Sequence, residues 1–339
     1  MKNIYSEILS LKDVNGLSKH EQFTEGFLNA LQNGILSKGD KLPSVNEFIN
    51  ELGFARETIS KAYRELIKRG IVESRNRVGF FVANEDVSQH LKVALVLFAF
   101  DTIQETFYKN FREKLGKGVH IDVYFHHNNI QVFESIISGV RGKYGMYVVA
   151  PIPHKKTASV LKTLPMDRFL MIDRFEPMSG DFAYVTQEFE DVSYHVFEAL
   201  LPKIKKYKKG MIYYHRPNSD TPVEILNAFK NFVKKYSIGH EILPEYVAGS
   251  MEKGKVYYTI NNAELWMMLK DAREKGFELG KEIGVLSHND DIVKEIICDG
   301  ITTYSTDFKL MAERAATFIL TREKMQETIP TKLIKRKSL

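Results

Sequence analysis

The sequence has little cysteine and no long apolar segment. Cys298 is the one cysteine among 339 residues, which excludes an intramolecular disulfide and a metal site built from cysteines. The longest uninterrupted apolar run, residues 93–100, is far below the roughly 20 residues needed to cross a bilayer. The first residues also lack the apolar core of a signal peptide. We therefore expect a cytoplasmic protein with no membrane partner.

Glycine-rich nucleotide motifs are absent as well. Neither Gly-x-Gly-x-x-Gly nor Gly-x-x-x-x-Gly-Lys-Ser/Thr occurs, and there is no internal repeat or low-complexity segment. His126 and His127 are adjacent, but neighbouring side chains of a strand point to opposite faces and rarely share one metal ion. No metal and no cofactor are expected. The length suggests two or three domains, and a content of 44% apolar and 27% charged residues is ordinary for a globular protein.

Positive charge is concentrated in one early segment. The net charge is +5, and residues 1–83 carry 12 basic and 10 acidic side chains. Within that part, residues 56–77 hold seven basic and three acidic ones. The last nine residues hold four basic and no acidic side chain, and they are expected to form a final strand with exposed lysines. A local basic patch on a near-neutral body suits a small nucleic-acid-binding domain attached to a body with another role.

Residues 53–70 show the spacing of an amphipathic helix. Its apolar face is formed by Ile59, Ala62, Tyr63, Leu66 and Ile67. Basic side chains lie on the other side, and Gly70 ends the helix. A shorter helix precedes it, and Ser44 and Glu47 have the spacing of a capping box. Two short helices joined by a turn, the second one basic, describe either a helix-turn-helix or a helical hairpin with a solvated charged face.

The flanking segments favour the first interpretation. Residues 1–17 are a short lead-in, and a second capping box at Ser18 opens another helix. After the basic helix come two β-branched or aromatic runs with a turn between them. Three helices followed by a small hairpin predict a winged helix-turn-helix, with Arg75 and Arg77 at the tip of the wing. The helix and the wing then both present cations where DNA phosphates would lie.

The pattern changes after residues 84–90, which are polar and predict a linker. From residue 91, apolar strand-like runs alternate with amphipathic helical runs. The predicted strands are 93–100, 121–125, 146–150, 169–172, 211–214, 256–260 and 283–286, and the predicted helices are 103–115, 130–141, 188–206, 222–236 and 262–275. Repeated strand–helix units with continuous apolar strands predict an α/β fold with parallel sheets covered on both faces. Such sheets bind ligands at the carboxyl ends of their strands.

Residues 1–83 resemble the DNA-binding domain of the GntR family of bacterial transcription regulators. The segments that carry the resemblance are 34–44 (GILSKGDKLPS), 52–58 (LGFARET), 61–66 (KAYREL), 69–72 (RGIV) and 79–82 (GFFV). The DNA contacts expected from this resemblance and from the basic edge of the helix are Ser44, Arg56, Thr58, Lys61, Arg64, Arg75 and Arg77. Arg56 and Thr58 match the family's contact positions, whereas Lys61 and the wing arginines are expected at phosphates.

Three positions depart from the GntR pattern. Asn46 stands where the family usually has a DNA-contacting arginine, and Ala55 stands where a serine often caps the recognition helix. The missing cap forgoes about 1 kcal/mol. Arg77 replaces the first glycine of the wing. The operator sequence of the family therefore does not transfer to this protein.

Residues 91–339 resemble the sugar-binding domain of the LacI/GalR repressors, which has two lobes and the fold of periplasmic sugar-binding proteins. The segments that carry this resemblance are 170–174, 258–262, 287–290, 301–308 and 329–338. It implies a lobe one of about 91–186 and 307–326 and a lobe two of about 187–306 and 327–339. Trp266, Met267 and Met268 are expected in the core or where the lobes meet.

A sugar site needs amide and carboxylate groups that pair with hydroxyls, and an aromatic ring against the apolar face of the sugar. The candidates are Asp101, Gln104, Asp173, Arg174, Asn261, Asn289, Asp290 and Phe308. The aspartates and asparagines among them could instead be helix caps or turn residues. The family's ligand-binding arginine falls at Ile225, so the site is re-formed here, and Glu224 is a weak substitute.

The expected protein is a homodimeric transcription regulator, not an enzyme, that represses carbohydrate-use genes. Its partners would be a double-stranded DNA operator and a monosaccharide such as L-fucose or L-arabinose, because a GntR head on a LacI-type body resembles arabinose- and fucose-responsive regulators of Bacteroidetes type. Two alternatives stay open. The body could be a dimerisation and interaction module without a sugar. It could also be a pyridoxal-phosphate enzyme, although that body would need more residues and a recognisable Schiff-base lysine.

Overall fold

The computed structural model describes residues 3–12, 17–84, 91–141, 144–216 and 221–339. The described residues up to Asn84 form a small head, and those from Leu91 onwards form a two-lobed body. Of the predicted linker 84–90, Asn84 alone belongs to the described part, so the rest of that prediction lies outside it. Within these ranges, no helix combines the length and the apolar character needed to cross a membrane.

The described head contains four helices and an antiparallel hairpin. They are α1 (Ile4–Leu9), α2 (Lys19–Gln32), α3 (Val45–Leu52), α4 (Arg56–Lys68), β1 (Val72–Arg75) and β2 (Gly79–Val82). Helices α2 to α4 and the hairpin form the predicted winged helix-turn-helix. Its core packs the apolar face of α4 against Phe23, Phe27 and Phe48.

Local caps fix where these helices start. The hydroxyl of Ser18 accepts a hydrogen bond from the amide of Glu21, and the hydroxyl of Ser44 accepts one from the amide of Glu47, both at 3.3 Å. Each glutamate carboxylate accepts the amide of its serine in return, so both predicted capping boxes are present. Ala55 gives α4 no side-chain cap, as predicted.

The sequence patterns do not predict α1, which they leave in the lead-in. Ile4 and Ile8 are nevertheless buried in the core of the head. Helix α1 packs so closely on α2 that a Cβ atom at Gly26 would lie 2.5 Å from the Cα atom of Ile8. The first helix is therefore an integral part of the head.

The body alternates strands and helices as predicted, with further short elements. Its strands are β3 (Lys92–Leu97), β4 (His120–Phe125), β5 (Met146–Val149), β6 (Phe169–Arg174), β7 (Ala183–Gln187), β8 (Met211–Tyr214), β9 (His240–Leu243), β10 (Val256–Thr259), β11 (Gly284–His288), β12 (Thr302–Thr306), β13 (Gln326–Thr328) and β14 (Thr331–Ile334). Its helices are α5 (Thr102–Leu115), α6 (Ile130–Val140), α7 (Thr157–Leu161), α8 (Glu190–Ile204), α9 (Val223–Lys235), α10 (Asn262–Glu274), α11 (Ile292–Ile296) and α12 (Phe308–Thr321).

Each lobe is built on one six-stranded sheet. The sheet of lobe one has the order β13-β7-β6-β5-β3-β4 and is parallel throughout. The sheet of lobe two has the order β14-β12-β11-β10-β8-β9 and is parallel except for β14. Helices α5 and α12 cover one face of the first sheet, and α6 and α7 cover the other. Helices α8 and α9 cover one face of the second sheet, and α10 covers the other.

Within the described residues, three crossovers connect the lobes. Strand β7 keeps the chain in lobe one to Gln187, and β13 keeps it there to Thr328, because these two strands pair within one sheet. The expected boundaries are about residues 186 and 326.

The expectation for α10 needs correction, since Met268 is buried but Trp266 and Met267 are 36% and 39% exposed on the surface of lobe two.

Candidate functional site

A cleft of about 350 Å³ lies between the two lobes. Lobe one lines it with residues that follow β3 to β7, and lobe two lines it with residues that follow β10 and β11. Parallel sheets bind ligands at these strand ends. Seven of the eight predicted sugar-binding residues line the cleft, namely Asp101, Gln104, Asp173, Arg174, Asn261, Asn289 and Phe308.

Asp290 is the predicted residue that does not line the cleft. Its Oδ1 accepts hydrogen bonds from Arg336 Nη1 and from the hydroxyl of Thr303, both at 2.6 Å, and its Oδ2 accepts one from Arg336 Nη2 at 2.9 Å. These bonds hold the carboxylate within lobe two and lower the pKa of Asp290 against the opposing effect of burial. The next residue, Asp291, lines the cleft instead.

Asp101 and Asn261 are helix caps that also border the cleft. The Oδ1 atom of Asp101 accepts the amides of Ile103 and Gln104 at 2.9 and 2.8 Å. The Oδ1 atom of Asn261 accepts the amide of Ala263 at 2.8 Å. Both residues are therefore helix caps, as one interpretation of the sequence allowed. The capping hydrogen bonds hold their side chains at the wall of the cleft.

Three cleft residues have left-handed backbone conformations. They are Asn128, Asp173 and Asn289, with φ values of 55°, 66° and 61°. Asparagine and aspartate tolerate this conformation better than other non-glycine residues, and such strained positions cluster at ligand sites. The last residues of β6 and the turn after β11 bring Asp173 and Asn289 to the cleft from opposite lobes.

The carboxylate of Asp173 is joined to the interlobe crossovers by hydrogen bonds. Burial raises the pKa of Asp173, and the hydrogen bond from the Gln187 amide opposes that shift. The Oε1 atom of Gln187 accepts the hydroxyl of Thr306 at 2.7 Å, and the hydroxyls of Thr306 and Thr331 are 2.9 Å apart. Gln187, Thr306 and Thr331 each lie at the end of a different crossover, so one chain of hydrogen bonds connects all three to the cleft.

Lobe two supplies a buried polar cluster. Lys294 donates to the hydroxyl of Ser287 at 3.0 Å and to the carbonyls of His288 and Asn289 at 2.8 and 3.0 Å. Burial lowers the pKa of Lys294 to about 8. The buried atoms His288 Nδ1 and Asn289 Oδ1 have no hydrogen-bond partner among the described residues. Such atoms have hydrogen-bonding capacity that a ligand can use.

His126 and His288 line the cleft but were not among the predicted ligands. Nε2 of His126 lies 3.1 Å from the carbonyl oxygen of Ala150, and burial lowers the pKa of His126 to about 4. Burial lowers the pKa of His288 to about 3. Both residues lie at the ends of strands, where parallel sheets bind ligands. Within the described ranges, no group of three or more His, Cys, Asp or Glu side chains could hold a metal ion.

Arg174 forms an ion pair with Glu224, the residue noted as a weak substitute for the family's arginine. The distance from Arg174 Nη1 to Glu224 Oε1 is 2.6 Å. Ile225, at the position of that arginine, is fully buried in the core of lobe two. The cleft is thus arranged differently from the one that the resemblance describes.

The predicted DNA-contacting residues of α4 lie on the accessible side of the head. Arg56, Lys61 and Arg64 are exposed, and Thr58 is half-buried. Arg56 donates a hydrogen bond to the Oδ1 atom of Asn46. Asn46, which stands where the GntR family usually has an arginine, therefore contacts an expected DNA-binding residue. Arg64 pairs with Glu57 at 2.8 Å, and the exposed Ser44 uses its hydroxyl as a cap.

The wing carries its two arginines in different settings. Arg75 lies 4.2 Å from the ring centroid of Phe81 and 2.6 Å from the Glu73 carboxylate. Arg77 is exposed and has a φ of 61°. The turn therefore keeps the left-handed geometry that glycine adopts easily, although the residue is an arginine.

The head contacts lobe one through α2. Nη1 of the buried Arg168 lies 3.2 Å from a Glu25 carboxylate oxygen, and Arg322 donates to Oδ1 of Asn29 at 3.2 Å. A crevice of about 340 Å³ between the head and lobe one is lined by residues of α2, α4 and α12, including Lys61. Helix α2 thus joins the head to lobe one through charged and polar contacts.

Sequence comparison identifies the type of head. Residues 22–82 match the family described as bacterial regulatory proteins, gntR family. The head is a GntR-family domain. Helices α2 to α4 and the wing thus form a GntR-type helix-turn-helix, and α1 precedes the matched region.

Several curated proteins are similar to this GntR-type region. The HTH-type transcriptional regulator Rv1152 of Mycobacterium tuberculosis is 36% identical over 66 residues, which are 20% of this chain and 54% of that protein. The HTH-type transcriptional repressor YtrA of Bacillus subtilis is 35% identical over 77 residues, which are 23% of this chain and 55% of that protein. The mannosyl-D-glycerate transport/metabolism system repressor MngR of Escherichia coli is 29% identical over 117 residues, 34% and 41% of the two chains. The chain thus spans about half the length of the first two relatives.

Solved structures establish the fold of the body. A LacI family transcriptional regulator from Silicibacter pomeroyi is 15% identical, with a TM-score of 0.61 over 73% of this chain and 98% of that one. The trehalose repressor from Escherichia coli is 14% identical, with a TM-score of 0.60 over 72% and 99%. A LacI family regulator from Lactobacillus casei with bound glucose is 10% identical, with a TM-score of 0.62 over 73% and 99%. The body behind the GntR-type head therefore has the LacI-type fold.

Proposed function

We propose that the protein is a transcription regulator whose GntR-type head binds a double-stranded DNA operator and whose body senses a monosaccharide. The sugar, with L-fucose and L-arabinose as first candidates, binds in the interlobe cleft and changes the operator affinity. The protein acts as a repressor of carbohydrate-use genes, and no enzymatic step is part of the proposal. The observation that carries it is a GntR-type head in contact with one lobe of a two-lobed body that has a polar cleft.

The surface chemistry of the head supports DNA binding. Arg56, Lys61, Arg75 and Arg77 are exposed on the helix and the wing, where they can meet phosphates or base edges. Curated relatives of this region, YtrA and MngR, are named as repressors. One recognition helix reads few base pairs, so a second copy of the chain would supply the other half-site.

The lining of the cleft supports a sugar as the ligand. Asp173 and Asn289 approach from opposite lobes, and Asn289 Oδ1 and His288 Nδ1 have unused hydrogen-bonding capacity. The buried ring of Phe308 borders the same space and can lie against the apolar face of a pyranose. A ligand that contacts both lobes favours their closure in proportion to its higher affinity for the closed form.

The surface of lobe two supports a homodimer. Trp266 of α10 and Ile296 of α11 line one groove and are 36% and 70% exposed. Ile292 and Val293, also in α11, are 63% and 45% exposed. The exposed apolar side chains of these two helices offer a candidate interaction surface. A dimeric Lac repressor is among the similar structures, with a TM-score of 0.60 and 14% identity.

A thermal-shift screen of the full chain against pentoses and deoxyhexoses tests the sensor role. The sugar that stabilises the protein is then titrated into a complex with DNA selected from a random library, and fluorescence anisotropy reports the operator affinity. The variant Asn289→Gly keeps the left-handed turn available and removes the amide, so we expect it to fold and to lose the sugar response.

Two results would contradict the proposal. If no sugar binds, the body is a dimerisation and interaction module, which is one of the two alternatives that the sequence leaves open. If a sugar binds but leaves the operator affinity unchanged, the cleft has another role.

A further inference from the structure

The ion pair of Arg174 and Glu224 crosses the interlobe cleft. Arg174 ends β6 in lobe one, and Glu224 lies in the first turn of α9 in lobe two. The two nitrogen–oxygen distances are 2.6 and 3.4 Å, so both terminal nitrogens of the guanidinium face the same carboxylate. The guanidinium also lies 4.9 Å from the ring centroid of Phe189. Its carboxylate-binding edge and one of its faces are therefore occupied by the protein itself.

Arg174 is the cation of the cleft that is best suited to an anionic ligand. A guanidinium binds carboxylates and phosphates through two parallel hydrogen bonds. Lys294 also lines the cleft, but its ammonium already donates to three oxygen atoms of lobe two. His126 and His288 are buried and have lowered pKa values, which keeps their rings neutral near pH 7. Within the described lining, no cationic side chain is left without a partner in the protein.

The other charges of the lining are carboxylates. Asp101, Asp173 and Asp291 border the cleft from both lobes. Asp173 is buried, and a second negative charge nearby is costly where water is excluded. An uncharged polyol can donate its hydroxyl hydrogens to these carboxylates, whereas an anion would be repelled.

We propose that Glu224 sets the charge class of the ligand. By occupying Arg174, it makes the cleft selective for an uncharged sugar over a sugar acid or a sugar phosphate. This inference rests on the proposed sensor function and specifies its ligand. Removal of the Glu224 carboxylate frees the guanidinium to bind the carboxylate of a sugar acid.

Isothermal titration of the full chain tests this role with a matched pair of probes, D-galactose and D-galacturonate, alongside L-fucose and L-arabinose. The wild type is expected to bind neutral sugar and to bind D-galacturonate weakly. The variant Glu224→Gln is expected to bind D-galacturonate roughly ten- to a hundredfold more tightly than the wild type, because one charge-assisted pair becomes available to the ligand. The double variant Arg174→Met, Glu224→Gln is expected to lose this gain.

Glu245→Gln is the matched control. It removes a carboxylate from another arginine pair of lobe two, in which Glu245 lies 2.7 Å from Arg216 on the exposed surface. We expect its affinity for D-galacturonate to equal that of the wild type. Trp266 fluorescence and circular dichroism show whether each variant is folded.

Each outcome separates this inference from the proposed function. If the wild type binds neutral sugar and a folded Glu224→Gln gains no affinity for D-galacturonate, the role of Glu224 is wrong and the sensor stands. The role is equally wrong if the wild type prefers D-galacturonate to every neutral sugar. If the wild type binds no sugar of the panel while the variant gains D-galacturonate binding, the neutral-sugar sensor fails and the role of Glu224 is supported.

Discussion

Phe308 and Arg322 stand at opposite ends of one helix and contact different parts of the protein. Phe308 opens α12 and lines the interlobe cleft. Arg322 caps the other end, with a φ of 54°, and donates a hydrogen bond to Asn29 of the head. At about 1.5 Å per residue, the helix spans about 20 Å between the cleft and the head. A single rigid element thus touches both the candidate ligand site and the DNA-binding domain.

The variant Arg322→Asn tests this connection. Asparagine tolerates the left-handed conformation but is too short to reach Asn29. We expect sugar affinity to stay within twofold of the wild type, while the effect of the sugar on operator affinity falls below about 1 kcal/mol from a usual coupling of about 1–3 kcal/mol. Calorimetry and fluorescence anisotropy measure the two quantities. Lys324→Asn, which alters an exposed pair with Asp181, is the control and should keep full coupling.

Lys61 and Arg56 are expected to contribute differently to DNA binding. Lys61→Ala should weaken binding equally for all sequences and reduce the slope of log affinity against log salt by about 0.9, because one phosphate contact is lost. Arg56→Ala should relax the preference at one base position. Lys162→Ala removes the same charge from lobe one and should leave the slope unchanged. A loss with Lys61→Ala that is confined to one base position would show that Lys61 reads sequence.

Gly26 is expected to be required for the packing of α1 on α2. In Gly26→Ala the new Cβ atom would lie 2.5 Å from the Cα atom of Ile8, so the helices must move apart. We expect the head to lose about 1–3 kcal/mol of stability. Hydrogen exchange of the α2 amides in the full chain measures this loss. Gly139→Ala is the matched control in α6, where a Cβ atom meets nothing within 4 Å, and it should be neutral or stabilising by about 0.5–1 kcal/mol.

His288 makes the stability of lobe two depend on pH. Its pKa is about 3 in the folded protein and about 6.5 in the unfolded chain. Between these values the unfolded chain binds more protons, so the free energy of unfolding falls as the pH falls below 6.5. From pH 7 to pH 5 this histidine should cost about 2 kcal/mol.

Urea unfolding followed by the fluorescence of Trp266, which lies in lobe two, measures the dependence. His288→Gln should remove that part of the acid slope, whatever its effect on stability at pH 7. His120→Gln is the control, because His120 is exposed on lobe one and pairs with Asp122. An unchanged slope in His288→Gln would mean that His288 binds its proton in the folded protein at the same pH as in the unfolded chain.

Local signals in the sequence predict the head well. Capping boxes at Ser18 and Ser44, the apolar spacing of α4 and the turn of the wing depend on residues a few positions apart, and all of them appear in the structure. The sequence patterns do not predict helix α1, because a segment of six residues is too short to show helical periodicity. Its burial depends on Gly26, which no local pattern connects with Ile8.

Strand β12 shows why part of the body could not be predicted from apolar runs. It reads Thr302-Thr-Tyr-Ser-Thr306, and every one of its residues is buried. Several of the polar hydroxyls are satisfied there by partners outside the strand, as in the bonds from Thr303 to Asp290 and from Thr306 to Gln187. A search for apolar residues alone cannot find such a strand, although the resemblance to the LacI/GalR repressors includes this segment.

The cleft could be predicted as a set of strand ends but not as a set of contacts. Asp290 and Asp291 look alike in the sequence, and the partner that holds Asp290 away from the cleft is Arg336, 46 residues later. Arg174 and Glu224 are 50 residues apart and meet only because the lobes face each other. Such pairings depend on tertiary geometry, which a single sequence does not display.

The hydrogen bonds from Thr306 through Gln187 to Asp173 have a direction. An ionised Asp173 can only accept, so the Gln187 amide must turn its nitrogen towards the cleft and its oxygen towards the crossovers. That choice in turn obliges Thr306 to donate, which leaves Thr331 as the donor to Thr306. Once Asp173 is protonated it can also donate, and the reverse order becomes possible. The direction of the hydrogen bonds that join the three crossovers therefore depends on whether Asp173 is ionised.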